Sequence, residues 1–102
     1  MISIATIRSE LNDIKYYNAR REMFEKAFDS VGKNEILKTM EKYNKVICLA
    51  GPKLYELYVC LYIDSNTHDE TAEMLNYSAN YVYKTHKKLI EFFHKELNKE
   101  AA

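Results

Sequence analysis

The chain has 102 residues, enough for one domain or one small domain with an extension. Hydrophobic residues make up 47% of it, which supplies a core and excludes a disordered chain, and 15 basic side chains balance 15 acidic ones. That zero formal charge argues against a nonspecific nucleic-acid binder, while two glycines and one proline leave little to punctuate strands and hairpins. An all-α fold follows.

Residues 3–29 read as one long helix. Ile4, Ile7, Leu11 and Ile14 recur at three and four, and the stripe continues less cleanly through Tyr17, Phe24 and Phe28. Unbroken, such a helix would span roughly 40 Å, longer than a compact domain of this size is wide. Its apolar stripe must pack along a neighbour or along a second copy, and the expectation is a homodimer through this helix. Gly32 is read as its left-handed end and Asn34 as the cap of the next helix. That helix carries Ile36, Leu37, Met40, Tyr43, Val46 and Ile47 inward, and the two together predict an N-terminal helical hairpin over residues 1–50. Gly51 followed by Pro52 marks the next boundary, with glycine outside one helix and proline in the first turn of another. From Pro52 to Ile63 the chain is apolar nearly all round: Leu54, Leu57 and Leu61 make one stripe, and Tyr55, Tyr58 and Tyr62 a second beside it. A helix of that kind is buried, with its phenols packed and their hydroxyls at the rim. It is expected to open a three-helix domain over residues 51–98.

The stretch from Thr67 to Phe93 carries the strongest local signals. Thr67 can cap a short helix, and Glu70 three residues on completes a capping box. Ala72 and Leu75 face inward, and Asn76 tolerates the left-handed backbone that ends a helix. Ser78 then caps a second helix through Val82, Leu89 and Phe93. A small residue at 72 lets the two helices cross closely, with Leu75, Tyr77 and Val82 filling the angle.

Ala72, Leu75, the turn at Asn76, Ser78 and Val82 resemble the helix-turn-helix of sigma-70 region 4 and related small regulators. The phage-type transcription regulators of the ArpU kind are among those it is similar to. The resemblance covers about residues 52–97, and its motif is of moderate specificity. Two positions depart from it: Thr71 stands where an aliphatic side chain usually precedes the alanine, and Asn76 replaces the usual glycine. The resemblance implies sequence-specific binding of double-stranded DNA in transcription control, without catalysis, and a contact with RNA polymerase. Lacking a region that opens promoter DNA, the chain is expected to act as an accessory regulator.

On that reading the second helix enters a major groove by its N-terminal end. Charge is distributed accordingly: Lys53 to Tyr77 holds one basic residue against five acidic, and from Ser78 onward five lysines stand against three glutamates. The candidate DNA-binding residues are Ser78, Ala79, Asn80, Tyr83, Lys84, Lys87 and Lys88. Asn80 suits an adenine edge, Tyr83 should lean outward, and the lysines with Ser78 suit phosphates.

Enzyme chemistry has little to stand on. There is no glycine-rich phosphate loop, no HExxH pattern and no sequence signature around a nucleophilic cysteine. Cys48 and Cys60 are expected to be buried free thiols, and their spacing suggests no metal pair. His86 and His94, two helical turns apart, read as surface or partly buried, and His68 as exposed. No metal and no cofactor are expected. No leader or membrane span is indicated, so a reducing, cytoplasmic setting is the expectation. The competing class is a protein-interaction module on the same fold, in which Tyr81 and Tyr83 would be covered by a protein partner instead of DNA.

Overall fold

Ser3 starts the first helix by accepting a hydrogen bond from the Thr6 backbone N–H, 3.1 Å away, on its side-chain oxygen. In this computed structural model, which describes residues 1–26 and 30–99 and the side chains of 1–23 and 35–99, every regular element among the described residues is helical. The protein is all-α.

Helix α1 (Ile4–Ala19) buries Ile7, Leu11, Ile14 and Tyr17. It stops at Arg20, whose N–H turns back to the Tyr17 carbonyl, and a short α2 (Arg21–Lys26) follows. The single helix expected over 3–29 is therefore broken. Past Tyr17 the next inward positions are polar (Asn18, Arg21, Glu22), so no burial holds the helix straight. Phe28 and Asp29 of that expectation lie outside the described residues, as does the Phe24 side chain.

Helix α3 (Ser30–Ile47) begins earlier than expected, so Gly32 and Asn34 lie within it and not at its boundary. Glycine inside a helix costs about 0.5–1 kcal/mol against alanine, which the buried stripe of Met40, Tyr43, Val46 and Ile47 outweighs. Leu37, expected inward, is exposed. After a turn, Gly51 and Pro52 open α4 (Pro52–Tyr58) as their sequence suggests. Val59–Ile63 continue it as a π turn, in which the Asp64 N–H reaches back five residues to the Val59 carbonyl at 2.8 Å. Leu57, Tyr58, Cys60, Leu61 and Tyr62 are buried. Tyr55 is not: it stands 48% exposed.

Helices α5 (His68–Leu75) and α6 (Ala79–Lys99) complete the chain. One cluster of buried side chains joins α1, α3, α4, its π turn and α6, with the Phe93 ring at its centre. Tyr43 meets it edge-on at 4.9 Å and Tyr58 at 5.7 Å. Ile7, Leu11 and Ile14, each fully buried, belong to that same cluster, so α1 packs on the π turn and on α6 as well as on α3. The radius of gyration is 14.0 Å, close to the roughly 13 Å of a compact body this size, so the N-terminal half does not splay away.

Three hydrogen bonds tie α1 to the segment that leads into α5. Lys15 Nζ donates to the Asn66 carbonyl (2.8 Å), Ser65 Oγ to the Lys15 carbonyl (3.0 Å) and Asn18 Nδ2 to the Tyr62 carbonyl (3.0 Å). At the other end, the backbone of Ile2 pairs both ways with the Asn98 side chain on α6. Among the described residues no helix is long and apolar enough to cross a membrane.

Candidate nucleic-acid interface

The corner between α5 and α6 is built from local chemistry. The Thr67 hydroxyl accepts from the Glu70 N–H at 3.1 Å, and the Glu70 carboxylate accepts from the Thr67 N–H at 2.9 Å, so both arms of the capping box are present. Those hydrogen bonds hold the exposed Glu70 carboxyl below the usual carboxylate range. Asn76 sits left-handed (φ 58°, ψ 39°), and the Tyr77 N–H returns to the Ala72 carbonyl at 2.9 Å. Ser78 Oγ accepts from the Tyr81 N–H at 3.1 Å and starts α6.

Packing then sets the crossing. Ala72 and Val82 are buried between the helices, and Leu75 and Tyr77 are half-buried beside them. Tyr77 stacks at an angle on Tyr81 (4.5 Å) and donates its hydroxyl to the Glu56 carboxylate on α4 at 3.3 Å, bracing the corner from a third helix. Burial, then Glu56, pushes the Tyr77 phenol up. Thr71 is fully buried, deeper than its polarity suggests, and its hydroxyl has no hydrogen-bond partner among the described residues.

All seven candidate residues, Ser78, Ala79, Asn80, Tyr83, Lys84, Lys87 and Lys88, are exposed. Asn80, Tyr83, Lys84, Lys87 and Lys88 recur at three and four along α6, opposite the buried stripe of Val82, Thr85, Leu89, Ile90 and Phe93. The outward side of α5 has the opposite sign, with Asp69, Glu70 and Glu73 exposed around Met74. Cationic and anionic faces thus meet at the corner.

Behind the basic face lies a group of rings that the sequence does not announce. His68, expected exposed, is half-buried and lies flat against Tyr83, ring centres 4.6 Å apart and planes 3° off parallel. His86 meets His68 edge-on at 4.7 Å and hydrogen-bonds through Nε2 to the Tyr62 hydroxyl. Burial, then His68, Arg8 and Lys15, pushes the His86 imidazole down to about 4. Burial and Lys15 lower His68 as well, against a smaller upward pull from Asp69. Tyr62, 5% exposed, is raised to about 12 by burial. Both shifts favour the uncharged form of the imidazole. A signal for His86 was present: it falls at the edge of the stripe Val82, Leu89, Phe93, where a helical residue is half-covered. His68 carried none, because its partner stands on another helix.

Cys60 is buried and its thiol is pushed up by that burial, whereas Cys48, expected buried, is exposed at the end of α3. Among the described residues no three His, Cys, Asp or Glu side chains are grouped to hold a metal ion. Compared with protein-family models, with curated proteins and with solved structures, the chain has no match.

Proposed function

We propose that the protein is a DNA-binding transcription regulator that reads double-stranded sequence with the N-terminal half of α6. The observation that carries this reading is the exposed row Ser78, Asn80, Tyr83, Lys84, Lys87 and Lys88 on a helix whose start is fixed by a doubly capped corner. Such a corner presents a helix tip rigidly, which is what insertion into a groove requires. In this reading Asn80 and Tyr83 meet base edges, and Ser78 and the three lysines hold phosphates. The likeness to sigma-70 region 4 adds RNA polymerase as a candidate protein contact and makes the chain an accessory, phage-type regulator.

The case for a homodimer through α1 rested on a stripe that needed cover. Ile7, Leu11 and Ile14 find that cover within their own chain. Two reading heads joined through α1 would have to meet by its outward side chains, Ile4 and Tyr16, which are 41% and 54% exposed.

Random-sequence DNA selection, followed by affinity titration from low to physiological salt, tests the proposal. Each lysine–phosphate contact contributes about 0.9 to the slope of log affinity on log salt, so K84A/K87A should flatten that slope by roughly 2 on every sequence. Asn80→Ala should instead relax preference at one base pair. Equal binding by wild type and the N80A/K84A/K87A triple variant would remove this face from consideration. A second reading, a protein-interaction module, draws on the acidic outward side of α5 and the 59% exposed Met74. A wild-type protein that selects no sequence would favour it.

A further inference from the structure

Tyr83 is the largest side chain on the outward face of α6, and it does not stand alone. A tyrosine on a helix surface ordinarily samples more than one χ1 rotamer and loses that freedom on binding. Here the His68 ring, from the first turn of α5, covers one face of the phenol in a near-parallel stack. The stack is held in turn from the core: His86 abuts His68 edge-on, and the Tyr62 hydroxyl holds His86 through Nε2. The Tyr62 and His86 rings lie 5.9 Å apart at 30°, so four rings from the π turn, α5 and α6 run continuously from a buried position to the reading face. Tyr83 remains 55% exposed at the end of that run. With one ring face covered, the other face, the edge and the hydroxyl are left to meet a ligand.

We propose that His68 is a positioning residue for sequence reading: by stacking on Tyr83 it fixes the phenol before DNA arrives, so that the Tyr83 hydroxyl donates to an acceptor on a base edge in the major groove. This inference rests on the DNA-reading function proposed above and adds to it a specificity-determining pair drawn from both helices of the corner. The acceptors available to a phenol O–H there are purine N7, guanine O6 and thymine O4. Fixing the donor in advance means that its ordering is not charged against the correct sequence at binding.

The test compares wild type with His68→Ala, His68→Phe and Tyr83→Phe on the site recovered by random-sequence selection and on unrelated duplex, with circular dichroism confirming that each variant is folded. His68→Ala should lower the ratio of specific to nonspecific affinity by about tenfold. Tyr83→Phe should lose preference at the same base pair. His68→Phe, which keeps a ring in the stack, should restore the ratio. In the free protein, the Hα–Hβ couplings of Tyr83 should report one rotamer in wild type and His68→Phe, and averaging in His68→Ala. If wild type has a preferred site and His68→Ala keeps its ratio, or weakens all sequences alike, this inference is overturned while DNA reading stands. A wild type with no preferred sequence overturns both.

Discussion

His86→Gln should make the protein less sensitive to acid. Burial, then the charges of His68 on α5 and of Arg8 and Lys15 on α1, opposes a proton on the imidazole, and the Tyr62 hydroxyl hydrogen-bonds it at Nε2. The unfolded chain takes up that proton near the ordinary value of 6.5, and the folded chain only near about 4. Between those values the unfolded state holds more protons, so acid favours unfolding and the loss is complete only below the lower value. At roughly 1.36 kcal/mol per tenfold change in proton affinity, full expression of that depression would be about 3 kcal/mol, and partial exposure of the ring screens it to about half. Glutamine keeps a hydrogen-bonding group for Tyr62 but cannot charge. The variant is expected to be somewhat less stable than wild type at pH 7, with the gap narrowing by about 1.5 kcal/mol as pH falls towards 4. Urea unfolding at half-unit pH steps measures this directly. A gap that stays constant across the range would show that His86 does not titrate between the two states, and the account of its surroundings would fail.

Thr71→Val should stabilise the fold by about 1 kcal/mol, because it removes a buried hydroxyl without a partner at nearly constant volume, raising the melting temperature by roughly 4–8 °C. Destabilisation would mean that the hydroxyl is satisfied in solution. At Asn76, alanine should cost about 1–2 kcal/mol for its left-handed backbone while glycine is close to neutral, read by thermal melts of both variants. Leu11→Ala should cost about 3–5 kcal/mol in denaturant unfolding without changing the mass seen by light scattering, since its fully buried side chain belongs to the chain's own core. A change in mass with little loss of stability would put the α1 stripe in an interface between copies instead.

What the sequence disclosed was chemistry that acts over a few residues. Thr67 with Glu70, Asn76 as a left-handed stop, Ser78 as a cap and Gly51–Pro52 as a boundary each depend on neighbours within one turn, and each stands where its pattern suggests. The inward sides of α6 and α1 were legible for the same reason, as stripes of period near 3.6. The failures all involve a partner from elsewhere. Arg20 ends α1 where the inward positions of the next turn are polar, and Gly32 stays helical because residues far along α3 hold it there. Tyr55 and Leu37 stand exposed at positions that periodicity alone marks as inward. The His68–Tyr83 stack joins residues fifteen apart on two crossed helices, a distance no spacing rule spans.

The widened turn at Val59–Ile63 gives this helix a place where one residue can be lost. A π turn holds one more residue than the α turn it replaces. Excising a single residue there would restore ordinary winding while the chain still goes once round, so the segment downstream keeps close to its present phase. Removal of Tyr62 itself is the exception, because its hydroxyl meets His86 and its carbonyl is gripped by Asn18. A one-codon loss at Val59 should therefore cost less than the same loss in the middle of α6, and the exposed turn at Cys48–Leu49 should absorb length changes as well.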